Sequence, residues 1–176
     1  SEAGLELLCL SGDEIEERHW DAFFHFYIDT YDRKWGSPYM NRDTFRRFHD
    51  SLRERIVLVM VYHGGQAVAG ALNLRGRDTL FGRNWGCVAD FSFLHFEACY
   101  YQAIDYAIRH GLSRVEAGTQ GEHKLQRGYL PVRTYSAHWF RDSGFQAAVD
   151  RFLEREREMT DTMIGRLSVH SPFRQG

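Results

Sequence analysis

The sequence predicts one α/β (α+β) domain over residues 1–176, with a mixed, mostly antiparallel central sheet flanked by helices. Three observations lead to this prediction. Aromatic residues recur at helical spacing in residues 13–31, glycine-containing turns separate three strand-like runs in residues 56–85, and a segment of helical length, residues 94–110, precedes another short strand-like run. Consecutive strands followed by a strand–helix–strand unit favour a mixed sheet over a doubly wound one.

Two amphipathic helices are predicted at the start of the chain. In residues 13–31, the side chains of Trp20, Phe23 and Tyr27 fall on one helical face. A second helix is expected to begin after Asn41, because an asparagine side chain can accept a hydrogen bond from a backbone N–H of the first turn.

A three-stranded antiparallel meander is predicted next. Residues 56–62 form a continuous apolar run rich in β-branched side chains, which is typical of a buried strand. Residues 67–74 and 79–85 follow after turns that contain glycine, and such turns between strand-like runs indicate hairpins. The glycine-flanked sequence Gly-Arg-Asn-Trp-Gly at 82–86 is interpreted as strand with a bulge.

The second half of the chain predicts a parallel crossover and a final helix. Residues 94–110 form a largely buried helix that ends at Gly111, and residues 113–117 form a short strand after it. Residues 132–140 are expected to form another strand, and the last helix is expected to be capped by Ser143. The apolar stripe of that helix consists of Phe145, Ala148, Val149, Phe152 and Leu153.

Composition excludes several classes of function. A formal net charge of −2 provides no general basic field, which argues against duplex nucleic acid as a partner. A local basic surface stays open around Arg75, Arg77 and Arg83, or around Lys124 and Arg127. No apolar run is long enough to span a membrane, and the three cysteines follow no disulfide pattern, so a cytoplasmic location is expected.

The richest chemistry lies in and beside the loop Gly-Thr-Gln-Gly-Glu-His-Lys-Leu-Gln-Arg-Gly-Tyr, residues 118–129. Glu116, Glu122 and His123 are the candidate catalytic residues, since a carboxylate or an imidazole can take a proton from an attacking amine. The candidate substrate-binding residues carry groups that can hold an anion, stabilise an oxyanion or donate a proton. They are Lys124, Arg127, Gln120, Tyr129 and Tyr135.

Structural alternatives stay open for each of these residues. The loop can be a solvated polar connection between two strands. Glu116 can form an ion pair with Arg114 or Arg133, and His123 can be a hydrogen-bonded loop residue.

A metal site is the weaker interpretation of the histidines and cysteines. His95 and Cys99 stand four residues apart on one predicted helix and, with His123, suggest a metal-dependent hydrolase. A structural zinc site requires four ligands at typical spacings, and the remaining ligands are not evident, so no metal is predicted.

Three segments resemble one bacterial family. They are Phe-Glu-Ala-Cys-Tyr-Tyr-Gln-Ala-Ile at 96–104, Gly-Glu-His-Lys-Leu-Gln-Arg-Gly-Tyr at 121–129 and Thr-Tyr-Ser-Ala-His-Trp at 134–139. The chain resembles the FemAB-like predicted N-acyltransferases, which are described as peptidoglycan biosynthesis or recognition proteins. The resemblance implies the GNAT-type acyltransferase fold. It also implies a tandem protein of which this chain is the C-terminal half, with an N-terminal twin domain as partner, and a homodimer stays open as an assembly.

The resemblance further implies the transfer of an acyl or aminoacyl group to an amine, on a small molecule or a peptidoglycan precursor. No cofactor is fixed, because residues 86–91 lack the Arg/Gln-x-x-Gly-x-Gly/Ala loop of acetyl-CoA users, so acyl-CoA and aminoacyl-tRNA both stay open as donors. The Fem relatives place a Lys-Phe pair near the position of Lys124 and Leu125, so the resemblance extends to Lys124 but not to the phenylalanine. The alternative is a non-catalytic GNAT-like domain that recognises an envelope fragment.

Overall fold

The computed structural model describes residues 4–33, 36–118, 122–170 and 172. Contacts divide the chain into two compact units, Ser1–Gly118 and Thr119–Gly176. The strands of the first unit are β1 (Leu5–Ser11), β2 (Ile56–His63), β3 (Gln66–Arg75), β4 (Thr79–Cys87) and β5 (Arg114–Glu116). Its helices are α1 (Glu17–Arg33), α2 (Arg42–Leu52) and α3, which consists of α-helical Leu94–Phe96, a π-helical turn Glu97–Tyr101 and α-helical Gln102–Arg109.

The first unit contains a five-stranded sheet with the order β1-β2-β3-β4-β5. Strands β1 to β4 are antiparallel to their neighbours, whereas β5 runs parallel to β4. A parallel pair requires a crossover connection, and α3 supplies it. The predicted meander, the predicted crossover and the predicted mixed sheet are thus confirmed.

Strand β2 separates two cores, because successive side chains of a strand point to opposite faces. Ile56, Leu58 and Met60 face a core built largely from the aromatic residues of α1 and α2. Val57, Val59 and Val61 face α3. A strand buried on both faces reads as a continuous apolar run, which explains the sequence of β2.

Helix boundaries follow their capping residues. The Oδ1 atom of Asn41 accepts a hydrogen bond from the backbone N–H of Thr44 at 3.0 Å, which confirms the predicted cap of α2. Gly111 ends α3 with a φ of +65°, as a C′ glycine does, and confirms the predicted helix end. Only one face of α3 is buried, however, since Ile108 is 73% exposed.

The second unit contains a short 3₁₀ helix, Glu122–Arg127, and one long helix, α4 (Ser143–Ser168). The prediction of Ser143 as the cap of α4 is wrong, because Asp142 Oδ1 accepts the hydrogen bond from Phe145 N at 2.7 Å. The predicted strand at 132–140 is also wrong, since these residues form no helix or strand. The predicted stripe of α4 is not a buried one, as Phe145 and Phe152 are 54% and 55% exposed.

No helix among the described residues is long and apolar enough to cross a membrane.

Gly86 allows α1 to lie directly on β4. A Cβ atom at this position would stand 2.5 Å from the carbonyl oxygen of Phe26, and a helix backbone cannot move aside as a flexible side chain can. We therefore expect Gly86→Ala to lower the free energy of unfolding by about 1–3 kcal/mol, as overpacking does. Chemical denaturation would measure the loss, and Gly64→Ala, in an open turn with a φ of +56°, would separate steric overpacking from backbone strain.

Candidate active site

Strand β5 ends before β4 does at one end of the sheet. Their parallel pairing covers three residue pairs and ends where Phe81 faces Glu116. Strand β5 ends at Glu116, whereas β4 continues to Cys87. We call the region between the end of β5 and residues 82–87 of β4 the strand fork. Ligands of open α/β sheets bind at the carboxyl ends of parallel strands, so the fork is the natural site in this unit.

Helix α3 begins just beyond the carboxyl end of β4. Its N-cap residue, Phe93, has a φ of +65°, is 77% exposed and makes no side-chain capping hydrogen bond. The N-terminus of a helix carries a partial positive charge and favours an anion. His95 in the first turn of α3 lies against Trp85 of β4, so this electropositive helix end stands beside residues 82–87.

A bulge in β4 presents Arg83 at the fork. Asn73 of β3 faces Gly82 and the preceding Leu72 faces Asn84, so Arg83 is the extra residue on β4. Its Nη2 atom donates a hydrogen bond to the Oη atom of Tyr39 at 2.7 Å, and its Cζ atom lies 5.8 Å from the centre of that ring. The bulge confirms the interpretation of residues 82–86, and bulges often redirect a side chain beside a functional site.

Tyr39 is held by a group of tyrosines. Its ring lies edge-on to Tyr27 at 6.4 Å and to Tyr31 at 6.3 Å between ring centres. Tyr27 is buried, and its Oη atom accepts a hydrogen bond from Met40 N at 3.1 Å. Burial, and then the hydrogen bond with Tyr27, raise the pKa of Tyr31 above its ordinary value. Tyr39 is thus a fixed support for Arg83 while its own side chain stays 61% exposed.

An aromatic group borders β4 on the α3 face of the sheet. The rings of Trp85 and His95 meet edge to face with 5.5 Å between their centres, and His95 stands 5.4 Å from the ring of Tyr100. The sequence favoured a helix-end histidine over a metal ligand at His95, and it did not predict the place of His95 beside β4. Within the described part of the chain, no group of three or more His, Cys, Asp or Glu side chains could hold a metal ion.

Glu116 is a half-buried residue at the end of β5. Because Val115 packs towards the core beneath α3, Glu116 points to the opposite face, the one that α1 and α2 cover. Within this unit, the alternative ion pair with Arg114 is not formed, since Arg114 pairs with Asp78 at 3.1 Å. Glu116 forms no ion pair with any described residue, so its carboxylate can serve the fork.

In the second unit, three candidate residues share one compact turn. Tyr129 N donates to the carbonyl oxygen of Lys124 at 3.2 Å, and Gly128 N donates to that of Leu125 at 2.9 Å. Lys124, Arg127 and Tyr129 are half-buried, and the Arg127 Nε and Tyr129 Oη atoms are hidden from solvent. A solvated connection would leave such polar atoms exposed, so the structure disfavours that alternative.

The other candidates are less closely defined. The backbones of Glu122 and His123 begin the 3₁₀ helix, while their side chains, and all of Gln120, lie outside the described residues. Tyr135 is 84% exposed. Arg133 forms hydrogen bonds with Tyr135 and Asp161, and these bonds raise the pKa of its guanidinium, the one with Tyr135 most. Tyr135 is thus an exposed partner of Arg133.

Comparison with solved structures shows which fold this is. The chain is similar to an aminoglycoside acetyltransferase from an uncultured soil metagenomic sample, with a TM-score of 0.52 and 8% identity over 80% of this chain and 97% of that one. It is also similar to a GNAT family acetyltransferase from Staphylococcus aureus, with a TM-score of 0.52 and 5% identity over 78% of this chain and 99% of that one. At these identities the likeness concerns the fold alone, and it confirms the predicted GNAT-like fold.

Sequence comparison shows the family. None of the curated proteins matches this chain significantly. The profile of the FemAB-like family, described as peptidoglycan biosynthesis/recognition, matches residues 1–175 and so includes the strand fork and the loop after it. The chain therefore belongs to the FemAB-like family.

Proposed function

We propose that this protein is an N-acyltransferase that uses the strand fork to bring an activated acyl group to an amine. The observation that carries the proposal is the early end of β5, whose pairing with β4 stops at Phe81 and Glu116 while β4 continues towards the N-terminus of α3. An extended acyl chain can lie along a strand edge, and the helix end can neutralise an anionic part of the donor. The GNAT-like fold and the FemAB-like family support the proposal.

The chemistry needs a base and a positioned amine. As the amine nitrogen attacks the acyl carbonyl, a C–N bond forms and the bond to the donor sulfur or oxygen breaks. Glu116 takes the proton that the amine loses, directly or through water, and the leaving group receives a proton in turn. Holding amine and carbonyl in attack geometry supplies much of the acceleration. Glu122 and His123 stay alternative bases, and Lys124 and Arg127 stay predicted anion-binding residues.

A donor screen tests this proposal. The purified chain would be incubated with acyl-CoAs or aminoacyl-tRNAs and with a nucleotide-linked peptidoglycan precursor, and mass spectrometry would detect the acylated amine. We expect transfer from one donor class, and a reduced rate for Lys124→Ala. No product from any donor, with a folded protein confirmed by circular dichroism, would contradict the proposal.

A non-catalytic recognition domain is the second candidate. The observation that favours it is Phe93, a large exposed side chain at the start of α3, where close approach of a phosphate group favours small residues. This candidate predicts that the precursor stabilises the protein against heat but is never acylated. Binding without product would therefore replace the first candidate with the second.

A further inference from the structure

We infer that Arg83 and Tyr39 form a subsite for an oxyanion, a carboxylate or a phosphate, carried by the same molecule that presents the amine. The inference deepens the proposed function, because it rests on that function for the identity of this molecule as acceptor. The presence of the anion subsite itself rests on the geometry of Arg83 and can be measured without any catalysis.

The first step is that Arg83 has donors to offer. A guanidinium carries five N–H donors in a planar fork, and the hydrogen bond to Tyr39 uses one of them. Among the described residues, no carboxylate forms an ion pair with Arg83, although other arginines of the same unit, such as Arg42 and Arg114, do have acidic partners. An exposed arginine that is oriented without being neutralised is suited to bidentate binding of an oxyanion.

The second step is that Tyr39 adds a converging donor. Its oxygen accepts the hydrogen bond from Arg83, so its own O–H is left to donate to another group. The contacts with Tyr27 and Tyr31 fix the ring, and the hydrogen bond holds the guanidinium at its hydroxyl end. Both donors are thus largely ordered before a ligand arrives, which reduces the entropy lost on binding.

The third step places this pair relative to the proposed base. Phe81 faces Glu116 across the last pair of β4 and β5, and Arg83 stands two residues further along β4, at most about 7 Å away even for an extended chain. Tyr39 precedes α2, on the face of the sheet to which Glu116 also points. The amine of such an acceptor would lie near the carboxylate of Glu116, and its anion would lie near the guanidinium of Arg83.

The test uses two compounds that differ only in the anion. Nα-acetyl-lysine carries an amine and a carboxylate, and Nα-acetyl-lysinamide carries the amine alone. NMR titration of the unmodified chain is expected to show tighter binding of the acid. In Arg83→Gln the affinity for the acid should fall by about 10- to 100-fold, to that of the amide, as the loss of a charged hydrogen bond predicts. Tyr39→Phe should cause a smaller loss.

Controls separate a local effect from a general change in charge. Arg77→Gln makes the same charge change in the exposed turn before β4, at the opposite end of that strand, and should leave the affinity for the acid unchanged. Phosphoethanolamine distinguishes a phosphate from a carboxylate as the preferred oxyanion. If it binds more tightly than Nα-acetyl-lysine, and if Arg83→Gln abolishes that advantage, the subsite is assigned to a phosphate. Equal binding of acid and amide, or no binding of any compound, would overturn the inference.

The outcome is separable from that of the donor screen. Binding that depends on Arg83 in a chain that transfers no acyl group would retain the subsite and reject the proposed function. Acyl transfer with equal affinity for acid and amide would retain the function and reject the subsite.

Discussion

The Phe45→Ala variant is expected to be less stable than the unmodified chain by about 3–5 kcal/mol, the range measured for truncation of a buried phenylalanine. Phe45 is fully buried at the junction of α1 and α2. Its removal would leave a cavity lined by other rings, which a rigid helix pair can fill only in part. The rings within 6.1 Å of its own, measured between centres, are those of Trp20, Phe23, Phe24, Tyr27 and Phe48.

Urea denaturation followed by circular dichroism would measure this loss. Phe48→Ala is the matched control, because Phe48 lies one turn further along α2 and is only partly buried. We expect its loss to be clearly smaller than that of Phe45→Ala. Equal losses would show that the aromatic cluster is centred elsewhere. Since Tyr27 belongs to the cluster and supports Tyr39, Phe45→Ala should also weaken binding at Arg83.

The elements that the sequence predicted are those with strong local signals. Asn41 indicates the start of α2 because a capping side chain binds the backbone of the adjacent turn. Strand β2 is recognisable because both of its faces are buried, which gives a continuous apolar run. Strand β1 was missed although its partner β2 was found. In the structure, Leu7 and Cys9 are half-buried while Leu8 between them is exposed, as in a strand. All three residues are apolar, however, so the sequence lacks the alternation of apolar and polar residues that distinguishes a strand from a helix.

The predicted strand at 132–140 shows the opposite error. Its β-branched and aromatic residues suit a strand, but such composition describes a surface that packs well rather than a backbone that is paired. In the structure, Arg133 forms an ion pair with Asp161 of α4, and Phe140 N donates to the Gln146 side chain at 2.9 Å. These residues thus contact a helix instead of pairing with another strand, and the sequence alone does not indicate which of these two arrangements forms.

The candidate site was predicted in the same uneven way. Glu116 was singled out in the sequence because it ends a recognisable strand beside a polar loop, and its role as a base stays a prediction. Arg83 and Tyr39 were not paired with each other, because 44 residues separate them and only the folding of the α1–α2 connection onto β4 brings them together. The local signal was the predicted bulge that contains Arg83. It indicated an unusual position in β4 but not that Tyr39 would be the partner of Arg83.

Glu116→Gln is expected to lower kcat/KM for acyl transfer by about 100- to 10,000-fold, the usual contribution of a general base. The amide keeps the size and shape of the carboxylate but cannot take the proton of the attacking amine. Because Glu116 is only half-buried and forms no ion pair with a described residue, the free energy of unfolding should change little. Steady-state kinetics with the donor that the screen identifies would measure the effect, and denaturation would confirm the fold.

Two further variants decide what such a loss means. Glu6→Gln makes the same change on β1, at the opposite edge of the sheet, and should leave the rate unchanged. Glu116→Asp retains a base on a shorter side chain and should recover part of the activity, which a purely structural role would not predict. If Glu116→Gln retains the full rate, the base lies elsewhere, and Glu122 and His123 in the following loop become the residues to replace. A loss shared by Glu116→Asp and accompanied by lower stability would instead indicate that Glu116 supports the end of β5.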